Sequence, residues 1–236
     1  MIPLRDNIPS RRLPVVTVTL IIANVLVFFY QLMLGRRLPL FFNEFAVIPY
    51  RYFHDAYVTA SGAIQQVGAS ELAVPLVTSM FLHGGWLHLG GNMLYLWIFG
   101  DNVEDRMGHF KFLVFYLLCG LAASGAHILT NAGSRVPSLG ASGAIAGVLS
   151  GYLVLYPRAR VLVLLPLWWI WQTFEVPALL FLGFWFVQQF FYGLLALGPQ
   201  SAQTGGVAWW AHIGGFVAGA VLVWVFAEKA KRRYQE

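Results

Sequence analysis

Apolar positions along the chain gather into long runs separated by short polar stretches, and six of these runs read as membrane-spanning helices: Pro14–Leu34, Trp86–Val103, Phe110–Leu129, Gly143–Tyr156, Val176–Leu197 and Ala208–Ala227. A hydrocarbon core of about 30 Å takes about 20 apolar residues in a helix. The fourth run is shorter, about 14 residues up to the stop at Pro157, or roughly 21 Å at 1.5 Å per residue. If its inner end reaches one interface, its outer end lies beneath the opposite surface. Two stretches fit no span. The connection Gly35 to Gly85 contains amphipathic pieces such as LFFNEFAVIPYRYF, which suit a place at the interface. Val161 to Phe174, VLVLLPLWWIWQTF, is short, broken by Pro166 and rich in Trp, and again reads as interfacial.

Composition agrees with this pattern. A hydrophobic fraction of 58% against 11% charged residues lies outside the range of soluble domains. Pro14–Leu34 is too long for the apolar core of a signal peptide, and no small-residue cleavage site follows it, so it is expected to stay as a helix. The net charge of +5 reads as membrane topology rather than nucleic-acid binding. With both termini inside, the inner segments hold Arg5, Arg11, Arg12, Arg106, Lys111, Arg158, Arg160, Lys229, Lys231, Arg232 and Arg233. The outer ones hold Arg36, Arg37, Arg51 and Arg135, a ratio of eleven to four that favours six crossings. The fold expected is therefore an all-α membrane protein. Residues 1–13 form a cytoplasmic tail, and 14–227 a six-helix domain with a long first external loop and a short central fourth helix. Residues 228–236 form a basic cytoplasmic tail. Cys119, the single cysteine, sits in an apolar run and reads as an inert core thiol.

Polar residues fall at one depth. On that topology the second, fourth and sixth spans run inward, and each opens on unusual side chains. These are His83, His88 and Asn92 in LHGGWLHLGGN, Ser142 in GASG, and His212 in WWAHIGG. Polar groups inside a bilayer are costly and usually face a cavity or a partner. The irregular backbone before Ser142, NAGSRVPSLGA, must then be shielded by protein or line a watery recess. Gly143, Gly147 and Gly151 repeat every four residues, as do Ala211, Gly215 and Gly219, and such ridges let helix backbones approach closely. That approach puts His212 within reach of Ser142.

A hydroxyl beside an imidazole is the minimum for nucleophilic catalysis, because the ring can take the proton and later return it to a leaving amine. Ser142 and its backbone N–H start a helix, whose positive end favours developing negative charge. His88 and Asn92, four residues apart, can donate to the same oxyanion. No carboxylate lies nearby in the sequence to orient His212, so the expectation is a dyad. His83 and His88, five residues apart, fall on different helical faces with no third ligand, so no metal is expected. A soluble nucleophile elbow fails too, since Ala144 stands where it needs glycine and no strand precedes it.

Together these residues resemble the rhomboid family of intramembrane serine proteases over Thr78 to Ala227. GASGAIAG is similar to the family's nucleophile motif, with Ser142 as nucleophile and Gly140 in the loop before it. AHIGG is similar to its second catalytic element, with His212 as general base. SMFLHGGWLHLGGN resembles the motif that places His88 and Asn92 in the oxyanion hole and His83 nearby as a structural residue. GDNVEDRMG resembles the pattern of Gly100, Glu104 and Gly108. The resemblance implies a six-helix core that hydrolyses peptide bonds in or beside the transmembrane segments of other membrane proteins. It implies no metal, no cofactor and no nucleic acid, and an integral protein of a bacterial-style plasma membrane whose site opens outward. Gly143 and Gly215 support the site through helix contact. Two positions depart from the family. Val74 and Pro75 stand where many members have Trp-Arg, so the first loop is anchored differently. Ala146 stands where some carry an aromatic ring against the histidine, so another residue must hold the imidazole. The alternatives are an inactive relative that escorts membrane clients, and a small transporter, for which the sequence lacks a convincing inverted repeat.

Overall fold

In the computed structural model, which describes residues 1–58, 62–167, 170–196 and 208–228, a helix stands at each of the six apolar runs. The helices are α1 (Val15–Met33), α2 (Leu38–Phe45), α3 (Ala69–Thr78), α4 (Trp86–Met107), α5 (His109–Thr130), α6 (Ser142–Leu155), α7 (Ala178–Leu195) and α8 (Trp209–Phe226). By length and composition α1, α5, α7 and α8 can each cross a membrane, and α4 can do so together with Ala69–Phe81, from which it is bent by 78°. The short helix is α6, with 14 residues. It is also the axis of the bundle, since every residue from Gly143 to Tyr152 is buried.

Small residues make that axis possible. A Cβ on Gly215 would strike the carbonyl oxygen of Gly143, and one on Gly219 would strike the carbonyl oxygen of Gly147. On the third side a Cβ on Gly147 would meet the side chain of Cys119 from α5. Helices without Cβ atoms at their contact let dispersion and Cα–H···O contacts act at short range, which is what holds helices together when lipid is as apolar as the core. Cys119 is free and buried, as its apolar surroundings suggested.

Polar ties fix the ends of the bundle. The carboxylate of Glu104 on α4 accepts from the N–H groups of Val16 and Thr17 (2.9 and 2.7 Å) and from the Thr17 hydroxyl (2.7 Å), and it pairs with His109. It thereby supplies the N-terminal cap that Pro14 cannot give α1. Glu104 is 1% exposed, so the glycine-flanked acidic stretch is a structural tie rather than a solvated cluster.

Strands add something the helical pattern did not suggest. β1 (Ile2–Asp6) pairs antiparallel with β4 (Arg160–Leu167), which pairs antiparallel with β5 (Ile170–Pro177). The stretch Val161–Phe174, read as an interfacial segment, therefore contributes to two antiparallel strands, with Val161 and Val163 buried on the inward side. Its strands return to their start, and the N–H of Ala178 bonds the carbonyl of Ala159 at 2.8 Å. The chain thus enters α7 from the end of the bundle at which it left α6. A second, two-stranded sheet, β2 (Ala56–Val58) with β3 (Ile64–Gln66), lies in the long first connection.

That connection is only partly amphipathic in the sense expected. No residue of α2 is buried, but Ala46, Val47, Ile48, Pro49 and Arg51 behind it are packed inside the protein. The reason is a two-residue bridge: the N–H groups of Val47 and Ser138 each donate to the other's carbonyl, at 3.0 and 2.7 Å. Beside that bridge the Tyr50 N–H donates to the Ser134 carbonyl at 2.9 Å, and Arg135 lies 4.3 Å over the Tyr50 ring. Arg51 ties the connection to itself. Its guanidinium donates to the Asn43 backbone (2.6 Å) and side chain (3.0 Å) and lies 4.3 Å over the Tyr57 ring.

Candidate active site

Ser142 opens α6, and His212 lies in the first turn of α8. With the two backbones touching at Gly143 and Gly215, Ser142 Oγ stands 2.7 Å from His212 Nε2. The first turn of α6 presents N–H groups with no partner within the helix, at the positive end of its dipole. His212 is 7% exposed. Its Nδ1 lies 2.7 Å from Oε1 of Gln189, a buried side chain on α7. Trp185, one turn before Gln189, packs beside the imidazole with centroids 5.8 Å apart, and Trp209 meets it edge-on at 6.3 Å. These rings give the support that Ala146 cannot.

Gln189, Trp185 and Trp209 were missed as site residues. One signal was available for the first: Gln188 and Gln189 interrupt an otherwise apolar span, and intramembrane polar groups seldom lack a purpose.

His88 and Asn92 reach the same cleft from α4. The N–H of Gly84 donates to His88 Nδ1 at 3.3 Å, which leaves the ring proton on Nε2. That nitrogen points at the loop before Ser142, where a Cβ on Gly140 would lie only 2.7 Å from it. Gly140 also has φ of +128°, so glycine is required there for space and for backbone conformation. Asn92 Nδ2 lies 3.0 Å from His83 Nε2. His83 in turn is held through its own backbone, donating to Gln31 Oε1 (3.1 Å) and accepting from Gln31 Nε2 (2.8 Å). It precedes the helix, because Gly84 and Gly85 form the bend into α4. The expected separation of His83 and His88 onto two helical faces is therefore wrong. Their rings meet edge-on with centroids 5.0 Å apart. Among the described residues no three His, Cys, Asp or Glu side chains gather as a metal site.

Ser142, His212, His88 and Asn92 all line one open cleft of about 1820 Å³, walled further by Trp185 and Tyr192. His127 of α5 lines it too, its Nδ1 3.2 Å from the Asn131 side-chain nitrogen. The loop GPQSAQTGG, residues 198–206, which on the expected topology runs outside next to His212 and could cap the recess, falls outside the described residues, as does the basic tail beyond Glu228. A hydroxyl bonded to an imidazole, at a helix start and beside an imidazole N–H and an amide, can attack a carbonyl and receive the charge that develops on its oxygen.

Residues 70–229 match the family model of the Rhomboid domain. Rhomboid-like protein 11, chloroplastic, of Arabidopsis thaliana is 31% identical over 160 residues, covering 64% of this chain and 52% of that protein. Rhomboid protein 1, mitochondrial, of Saccharomyces cerevisiae is 30% identical over 168 residues, covering 69% of this chain and 44% of that one. Rhomboid protease GluP of Bacillus subtilis is 35% identical over 147 residues, covering 62% of this chain and 25% of that protein. The chain thus spans about half or less of the length of these relatives. The apolar helices and these relatives make it an integral membrane protein. With chloroplastic and mitochondrial relatives among them, the expected bacterial plasma membrane has no support here.

Proposed function

We propose that this chain, which belongs to the rhomboid family, is an intramembrane serine endopeptidase acting in or beside the transmembrane segments of other membrane proteins. Ser142 Oγ attacks the scissile carbonyl while His212 Nε2 takes its proton, and the imidazolium then protonates the leaving amine. Water, activated by the same imidazole, releases the acyl group from Ser142. His88 Nε2–H, the Asn92 amide and the Ser142 backbone N–H face the oxyanion. The observation that carries this reading is the 2.7 Å hydrogen bond between Ser142 and His212 at the wall of an open cleft. Small-molecule sites run to about 300–1,000 Å³; a cleft of about 1820 Å³ has room for a polypeptide segment. None of these steps calls for a metal or cofactor.

The orientation follows from charge. Arg5, Arg12, Arg106, Arg158 and Arg160 lie at the end of the bundle away from Ser142, the end that faces the cytoplasm under the positive-inside rule. The cleft then opens to the other side, and residues 1–13 and Glu228 lie with the basic end.

The test is cleavage of a fluorogenic transmembrane reporter by purified protein in lipid vesicles. Ser142→Ala and His212→Ala are each expected to remove activity by about 10⁶-fold, the scale seen when a nucleophile or its base is lost, with unfolding transitions unchanged. A fluorophosphonate probe should label Ser142 alone. Folded wild-type protein that neither cleaves nor takes the probe would instead be an inactive member that binds membrane clients, a kind the family contains.

A further inference from the structure

The seat of the His212 ring has a part that the pairing with Ser142 does not use. A neutral imidazole carries one proton, on either nitrogen. A base whose Nε2 must accept the Ser142 proton has to keep its own on Nδ1. In a buried setting with no partner at Nδ1, nothing selects that tautomer or stops the ring turning about its bond to the backbone. Here Nδ1 lies 2.7 Å from Gln189 Oε1, and Gln189 is 5% exposed.

We infer that Gln189 is the positioning residue of His212, its amide carbonyl accepting the Nδ1 proton and thereby holding Nε2 free and aimed at Ser142. This rests on the reading of Ser142 and His212 as nucleophile and base. Four observations converge on it. The bond is short and buried. Nε2 of the same ring is engaged by Ser142, so the two bonds define the ring plane. Trp185 lies on the same face of α7, one turn away, and packs beside the imidazole that Gln189 holds. Finally, the adjacent Gln188 faces outward and Gln189 inward, so helix α7 itself separates the working glutamine from an idle one. An amide suits the place better than a carboxylate. It accepts the same hydrogen bond without burying a full charge among apolar side chains. It also leaves the imidazolium of the intermediate less stabilised, and so readier to hand its proton to the leaving amine.

The experiment compares Gln189→Leu, Gln189→Glu and Gln188→Leu with wild type in vesicles, reading kcat, KM and the pH profile. Gln189→Leu keeps the shape but not the acceptor. It is expected to lower kcat by roughly 10–100-fold, the scale on which losing the partner that orients a metal-bound imidazole costs activity, with KM little changed. Gln189→Glu restores an acceptor and brings charge. It should recover much of kcat while moving the acid limb of the profile to higher pH, because a carboxylate favours the protonated ring. Gln188→Leu should match wild type. Nitrogen-15 NMR of His212 adds a reading that needs no turnover: protonated Nδ1 in wild type, and loss of that tautomer's dominance in Gln189→Leu. The inference is overturned by a Gln189→Leu enzyme with wild-type kcat and pH profile, or by wild-type protein whose ring proton resides on Nε2. Wild type that fails to cleave removes the protease reading instead, and the NMR result still decides the part played by Gln189.

Discussion

The two ends of α6 both carry hydroxyls into an apolar bundle and use them in opposite ways. At the far end the Tyr152 hydroxyl donates to Asp6 of β1 at 2.6 Å, and Asn102 donates to the same carboxylate at 3.0 Å. Tyr156 donates to the Asn102 carbonyl at 3.1 Å, and Glu104 nearby caps α1. Those groups are spent on tying together segments far apart in the chain, and none of them lines the cleft. At the near end Ser142, His212 and Gln189 also join three helices, but the joint forms one wall of an open cleft. A polar side chain inside a membrane protein is thus a fastener or a tool. The neighbouring volume, more than the residue type, tells the two apart.

Substitutions can break or sharpen that contrast. The largest effect short of losing Ser142 or His212 is expected at the cleft. His88→Ala and Asn92→Ala should each lower kcat by about 10²–10³-fold, the worth of one oxyanion donor, with the midpoint of unfolding in detergent unchanged. A loss of stability in place of rate would move these residues to the fastener class. Next comes Glu104→Gln, which weakens three charge-assisted bonds at the start of α1. It should lower stability by about 1.5–3 kcal/mol in a denaturant titration, while the folded fraction cleaves at the wild-type rate. The smallest is Tyr152→Phe, which deletes a single hydrogen bond, about 1 kcal/mol. If it instead slows kcat in fully folded protein, the two ends of α6 are coupled and the contrast fails.

The helices and the Ser142–His212 meeting were legible because each rests on a local regularity. Apolar run length sets the spans, and glycines four residues apart set where α6 and α8 touch. What stayed hidden depends on partners distant in sequence. Gln189 is one glutamine of an adjacent pair, and only the rotation of α7 against α8 decides which of the two meets the imidazole. Arg51 looked like loop charge until Asn43 and Tyr57 folded back around it. The pairing of β4 with β5 was hidden by the tryptophans and Pro166 of that stretch, which fit an interfacial segment equally well. Its third strand comes from the first residues of the chain, a pairing across about 160 positions that no local pattern announces. Glu104 lay between, since the resemblance singled it out with Gly100 and Gly108 but did not point to the helix it caps.

The sheet has a practical side for anyone handling this protein. Through five residues of β1 and one phenol–carboxylate contact, the segment Ile2–Asp6 is fastened to the same rod whose opposite tip bears the reactive alcohol. A purification handle or surface tether fused ahead of Met1 therefore loads that rod, and rates taken from such fusions need comparison with protein held by another part of the chain.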